Sequence, residues 1–243
     1  RPKALNALTY AMCEKITELL LEWQDSSEIG AVLIDGAGDR AFCAGGDVIL
    51  LHDSGKAGDS RAEEFWRIEY ALNELIHSYS KPYISLIDGF VMGGGVGLSV
   101  HGKYRVAGDA TVFAMPETGI GYFPDVGGTF FLPRLGMSIG QWLGLTGARL
   151  NVGQTCDIGI ANLYVPTDKH SDLIEALGMA DLDGTDSRVN KVLEAFSQIP
   201  PAHDAIPEAI KAFNCSSVPE ILLSLDSDNS EWAAKQAKNI RRK

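Results

Sequence analysis

The sequence predicts an α/β fold followed by a mainly helical region. Three observations carry this reading. Short apolar runs of strand length alternate with amphipathic helical stretches, which implies parallel strand pairing. Loops rich in glycine and other small residues stand directly after the first two runs. Beyond about Thr146, Pro166, Pro200, Pro201, Pro207 and Pro219 punctuate short amphipathic segments. On this reading the chain divides into a core of residues 1–166 and a mainly helical region of residues 167–243.

The elements follow in order. Leu8, Met12, Ile16, Leu19, Leu20 and Trp23 recur at helical spacing, so residues 5–23 predict an amphipathic helix capped by Asn6 or Thr9. Ala31–Asp35 is a buried-strand run ended by Gly36, and residues 38–47 read as a loop. Residues 63–79 predict a second helix, and residues 82–88 a second strand stopped by Gly89. Residues 92–98 enter a short helix, and Tyr104–Ala107 is a third strand. Both ends are abrupt. The chain opens on Arg1 and Pro2, and it closes while the helical pattern of Trp232, Ala233, Gln236 and Ile240 is still running. The expectation is a fragment of a longer chain.

With 243 residues, 45% of them hydrophobic and 22% charged, the chain can bury a sizeable core without disulfides or metal. Its formal net charge of -11 argues against nucleic acid and anionic membrane as partners, because both need a basic footprint. No apolar run is long enough to span a bilayer. Local amides can still bind an anionic ligand against that overall field. Cys13, Cys43, Cys156 and Cys215 show no metal or redox spacing, so they read as reduced thiols. The location expected is cytoplasmic if the source is bacterial and the mitochondrial matrix if it is eukaryotic. His52, His77, His101, His170 and His203 form no ligand-like cluster, and no metal site is expected.

Two loops and one turn carry the chemistry. The loops are Ala41–Asp47, with Ala44, Gly45 and Gly46 at its centre, and Met92–Gly97, with Gly93, Gly94 and Gly95. Glycine lets backbone approach a ligand closely, and free amides beside a helix start attract negative charge. Two such loops at neighbouring strand ends can aim two N–H groups at one oxygen, the geometry of an oxyanion hole. The plainer alternative is that these glycines serve tight turns and close packing. Neither loop matches a P-loop, a full dinucleotide fingerprint or a nucleophile elbow. The turn-rich stretch Met115–Gly128 holds Glu117 and Asp125. Two carboxylates near an apolar pocket can be pushed apart in pKa, giving one base and one acid. Asp125 also reads as a cap for the helix after it.

Together these segments resemble the crotonase (enoyl-CoA hydratase/isomerase) superfamily. The residues that carry the resemblance are Arg1–Ala7, Ala41–Asp47, the glycine run at 93–95 and Pro116-Glu117, in that order and spacing. Within the superfamily the likeness is to hydrolases that act on 3-hydroxyisobutyryl-CoA, through Ile68–Tyr70, Met92–His101, Ala114–Glu117, Gly121–Gly128 and Phe131–Leu135. The resemblance implies a spiral of ββα units with a helical oligomerisation region. Against that pattern this chain lacks the first strand and most of the C-terminal helices, and homo-oligomerisation is left open.

The resemblance also implies roles. The amides of Gly46 and Gly94 match the oxyanion hole. Ala41, Cys43, Ala44, Gly45 and Asp47 would line the adenine and pantetheine path, beside Gly93. Glu117 matches the catalytic glutamate, Asp125 the hydrolase's second carboxylate, and Glu69 a residue contacting the acyl end; the alternative for Glu69 is a solvated helix face. Coenzyme A is then part of an acyl-CoA substrate, and no separate cofactor is implied. Attack of water on a thioester carbonyl builds negative charge on oxygen, which two fixed amides stabilise. Glu117 either deprotonates the water or attacks directly to form a mixed anhydride, and Asp125 orients water or protonates the departing thiolate. Hydratases of the superfamily carry a glutamate where this chain has Gly97. The expectation is therefore hydrolysis of a short 3-hydroxyacyl-CoA, with hydratase or isomerase activity second and a non-catalytic CoA-binding or RNA-binding role third.

Overall fold

The computed structural model describes residues 1–241. Residues 242 and 243, with which the expected helical region 167–243 ends, lie outside the described residues. The first helix, α1 (Tyr10–Asp25), starts later than its apolar spacing predicts. Leu5 and Asn6 have φ values of 50° and 55°, left-handed backbone that a right-handed helix cannot contain. Thr9 is the cap, its hydroxyl accepting from the Met12 amide at 3.3 Å. Asn6 instead donates through Nδ2 to the carbonyls of Ala37 and Ala41, at 2.9 and 2.7 Å, and so ties the chain's first residues to the first glycine loop.

Next come β1 (Val32–Asp35), β2 (Ala41–Cys43), α2 (Val48–Ala57) and α3 (Arg61–His77). Two of these are absent from the sequence reading. At three residues β2 is too short to show alternation, and it lies inside the stretch read as loop. The α2 segment carries Gly55 and mixed polar residues, a weak helix signal; Asp47 nonetheless caps it, accepting from the Leu50 amide at 3.3 Å, and Gly58 closes it at φ 66°. Then β3 (Tyr83–Ile87) and β4 (Phe90–Met92) lead into α4 (Gly94–Gly97), and β5 (Tyr104–Ala107) and β6 (Val112–Ala114) into the turn that carries Glu117.

The strands form two parallel sheets, ordered β1-β3-β5 and β2-β4-β6, with Val32 opposite Tyr83, Ile84 opposite Tyr104 and Phe90 opposite Val112. Each pair of successive strands thus gives one strand to each sheet before the chain leaves through helix. That is the spiral of ββα units. The C-terminal ends of β2, β4 and β6 lie side by side, where ligands bind in parallel sheets.

The rest of the chain is mainly helical: α5 (Gly128–Phe131), α6 (Met137–Thr146) and α7 (Val152–Asp157), then α8 (His170–Met179), α9 (Asp186–Phe196), α10 (Val218–Asp226) and α11 (Glu231–Arg241). One short strand, β7 (Leu163–Tyr164), interrupts them and extends the first sheet beyond β5. Helices α8 and α9 cover that sheet through Leu173, Leu177, Val189 and Leu193, packed in one cluster with Leu86 and Val106. A larger core joins Phe65, Leu72, Phe113 and Leu143 to Phe213, Ile221 and Ala233 of the C-terminal region. Trp142 on α6 donates to Gln236 on α11 at 3.2 Å. Each large apolar side chain buried this way contributes about 1.5–3 kcal/mol. Among the described residues no helix is long and apolar enough to cross a membrane, and no three His, Cys, Asp or Glu residues are grouped to hold a metal ion.

Candidate active site

The two glycine loops leave adjacent parallel strands, β2 and β4, at the same edge. After Met92 the chain reverses at Gly93, whose φ of 49° and ψ of -120° only glycine adopts readily. A Cβ on Gly93 would lie 3.3 Å from the Gly45 Cα and 3.3 Å from Glu117 Oε1. The two loops and the glutamate therefore meet. Gly94 is the first residue of α4, so its amide has no acceptor within that helix. Gly46 stands just before the Asp47 cap of α2 and bridges Leu8, whose amide donates to the Gly45 carbonyl at 2.9 Å.

Glu69 enters from α3. Its Oε1 is 2.5 Å from where a Cβ on Gly94 would sit and 3.9 Å from the corresponding point on Gly46. The carboxyl thus lies between the two glycines expected to form the oxyanion hole. It is 2% exposed, and Oε1 has no hydrogen-bond partner. Burial, and then the nearby Asp125 charge, push its pKa up to about 8. At neutral pH it is an acid able to donate a hydrogen bond. Glu69 is thus not on a solvated helix face. Glu117 opens the 3₁₀ turn Glu117–Ile120 directly after β6 and is 7% exposed.

Asp125 is held by Tyr70, whose hydroxyl donates to Oδ2 at 2.8 Å. The Tyr122 hydroxyl stands 3.4 Å from that of Tyr70, and its ring stacks on Trp66 with centroids 5.7 Å apart. Burial raises the Asp125 pKa, and the Tyr70 bond opposes the rise. The N-cap of α5 is Gly127, with no side-chain cap bond, so Asp125 does not cap that helix. Val126, beside it, is β-branched yet sits at φ 42°. Such a conformation costs on the order of 1–3 kcal/mol and persists only where its surroundings enforce it. Here its side chain is buried and its carbonyl pairs with His101 Nε2 at 2.8 Å.

Gly97 faces a filled space. A Cβ there would meet Asn73 Nδ2 at 2.8 Å, Asn73 Oδ1 at 2.9 Å and Val126 Cβ at 2.9 Å. The glutamate that hydratases of the superfamily carry at this point would require those neighbours to move.

The remaining residues singled out from the sequence lie around this cluster. Ala41 and Cys43 are buried in β2; the Cys43 thiol points to the Gly45 carbonyl at 3.5 Å, and burial pushes its pKa up to about 12, which makes it a poor nucleophile. Ala44 is half-buried, its amide donating to Leu5 at 3.0 Å. Asp47 is committed to capping α2 and to an ion pair with Arg1 at 3.0 Å. An apolar cleft of about 670 Å³ lies beyond the Asp125 turn, lined by Phe123, Pro124, Leu132, Met137 and Val218. A smaller one of about 330 Å³ is lined by Tyr70, Asn73, His77, His101 and Phe130. Composition and motif give Tyr70 and Asn73 no role by themselves. Their signal was available: Asn73 is four residues beyond Glu69, hence on the same helix face, and Tyr70 is the next residue in the chain.

Comparison with known proteins fits this architecture. A Danio rerio protein named "3-hydroxyisobutyryl-CoA hydrolase, mitochondrial" is 46% identical over 249 residues, covering 99% of this chain and 65% of that relative. The chain thus spans less than two thirds of that relative's length. A Neurospora crassa protein named "Small ribosomal subunit protein mS47" is 40% identical, over 96% of this chain and 49% of the relative. The crystal structure of a carnitinyl-CoA dehydratase from Mycobacterium thermoresistibile superposes with a TM-score of 0.89 at 40% identity, covering 99% of this chain and 69% of that one. The family model described as Enoyl-CoA hydratase/isomerase matches residues 1–243, and the chain belongs to that family.

Proposed function

We propose that the protein hydrolyses the thioester of a short 3-hydroxyacyl-coenzyme A, with 3-hydroxyisobutyryl-CoA the first candidate. One observation carries the choice of hydrolysis: the space beside Gly97 is filled by Asn73 and Val126, so no carboxylate stands there to serve a carbon–carbon double bond. The likeness to relatives that bear the hydrolase name supports the substrate class.

In this reading the thioester carbonyl lies against the amides of Gly46 and Gly94, each worth on the order of 10²–10³ in rate. Glu117 takes a proton from water as its oxygen attacks the carbonyl carbon; in the alternative course Glu117 itself attacks and water then opens the anhydride. The tetrahedral intermediate collapses with cleavage of the C–S bond, and the thiolate takes up a proton relayed from the Asp125 side. Glu69, neutral at physiological pH, donates to an oxygen of the acyl group. Beyond water and the coenzyme A of the substrate, this reading calls for no cofactor. The compartment proposed is the mitochondrial matrix for a eukaryotic source and the cytoplasm for a bacterial one.

A second reading, hydration of an enoyl thioester, draws on the likeness to a dehydratase and on Glu69. A buried neutral Glu69 at Gly94 and Glu117 at Gly93 offer an acid and a base even without a carboxylate at position 97. Free-thiol release from a panel of acyl-CoA esters tests the proposal. Release from 3-hydroxyisobutyryl-CoA well above release from acetyl-CoA is expected, and equal rates refute the substrate assignment.

A further inference from the structure

We infer that Asn73 is a specificity-determining residue: its side-chain amide binds a neutral hydroxyl on the acyl chain, two carbons beyond the thioester carbonyl. The inference rests on the reading of Gly46 and Gly94 as the carbonyl site. Asn73 sits on the inner face of α3 and is 6% exposed, and neither Nδ2 nor Oδ1 has a hydrogen-bond partner. A buried polar atom without a partner is uncommon, and two on one side chain call for an explanation. Nothing in the packing requires the amide. Phe65, Leu72 and Ile76 share its helix face, and a leucine would suit the same core without unpaired groups.

The position of the amide gives it a use. Glu69, one helical turn earlier, borders Gly46 and Gly94 through Oε1, while Asn73 borders Gly97 and Val126. Four residues of helix advance about 6 Å. A hydrogen bond occupies about 2.9 Å of that, leaving about 3 Å, the span of the three bonds from a carbonyl carbon to an oxygen on the third carbon. A ligand with its carbonyl at Gly94 and its chain running along α4 therefore brings its third carbon's substituent to Asn73. The amide both donates and accepts but carries no charge, so it matches a hydroxyl. Asp125 stands close enough to Glu69 to interact with it electrostatically, and its charge would oppose an acyl chain ending in a carboxylate. Gly97 belongs to the same device, because its missing side chain is what leaves room for the amide.

The test compares 3-hydroxyisobutyryl-CoA with isobutyryl-CoA, which lacks only the hydroxyl, on the full chain and on Asn73→Leu. Dissociation constants are measured in a Glu117→Gln background, where the ester survives, and kcat/KM in the parent. The parent is expected to favour the hydroxylated ester at least about tenfold, the scale of a lost buried hydrogen bond. Asn73→Leu is expected to bring the two esters within about threefold, to keep its affinity for isobutyryl-CoA, and to melt no lower than the parent. If both esters weaken equally, or the ratio is unchanged, Asn73 is a structural residue and the inference is overturned. Should the leucine variant fail to fold, Asn73→Ser is read by the same ratio. If the parent releases thiol from neither ester, the hydrolase proposal fails by itself, and the ratio of dissociation constants still decides the role of Asn73.

Discussion

The Tyr70 hydroxyl donates to Asp125 Oδ2 at 2.8 Å, joining the middle of α3 to the strained turn ahead of α5. The bond brings two elements more than fifty residues apart to one carboxyl, and it works against the effect of burial on that carboxyl. Removing it in Tyr70→Phe lets the Asp125 pKa rise further. Because Asp125 must hold the proton it relays to the thiolate, the alkaline limb of the kcat/KM profile is expected to move to higher pH, with the folded protein otherwise intact. An unmoved alkaline limb would take Asp125 out of the titrating machinery.

Glu117→Gln is expected to lower turnover by about 10²–10⁴-fold, the range of general acid–base help, and by more if Glu117 forms a covalent bond. The amide is nearly isosteric, so binding of a CoA ester should persist. Single-turnover kinetics and titration with a thioester check the two halves separately. A variant that keeps more than about a tenth of the parent rate removes Glu117 from the chemistry.

Glu69 makes stability depend on pH with a definite sign. Its folded pKa of about 8 lies above the ordinary value of 4.5, so between these values the folded state holds a proton that the unfolded chain releases. Its contribution is complete below about pH 4.5 and is lost as the pH rises through about 8. Glu69→Gln cannot ionise. Melting curves should therefore show the variant gaining on the parent from pH 5 to pH 9, by an amount on the order of a few kcal/mol. Parallel curves across that window would mean that Glu69 ionises normally.

Gly97→Ala forces a methyl to within 3 Å of Asn73 and of Val126. Overpacking of this kind costs about 1–3 kcal/mol, which in a chain of this length lowers Tm by several degrees. The double variant with Asn73→Ala should recover part of the loss, because the two sites share one space. Strictly additive melting temperatures would show that the contact is not the cause.

The parts of the site legible in the sequence were those whose chemistry leaves no disguise. The glycines at 45–46 and 93–95 follow strand runs, a placement that suits an anion site as well as tight turns and close packing. Glu117 sits in a Pro- and Gly-rich turn, where a carboxylate is either a site residue or a solvated loop group, and its burial decides against the second. The helices and strands with clear periodicity, residues 10–25, 61–77 and 83–87, came through with boundaries off by a few residues. What stayed hidden has physical reasons. β2 and α2 are, respectively, too short and too polar to show a period. The helix expected from residue 5 was cut back by left-handed backbone at Leu5 and Asn6, which no spacing rule sees. Asn73 escaped because patterning places polar residues outward, whereas α3 turns two polar side chains, Glu69 and Asn73, into the protein. Position 125 was ambiguous until its partner on α3 was known.

Thiol release from 3-hydroxyisobutyryl-CoA, measured beside the loss of enoyl absorbance from crotonyl-CoA with the same preparation, tests the central claim most directly. With the space at Gly97 filled, the account predicts rapid thiol release from the first ester and hydration of the second at a far lower rate. Rapid loss of the enoyl absorbance, with no thiol released from 3-hydroxyisobutyryl-CoA, would contradict it and assign the site to hydration.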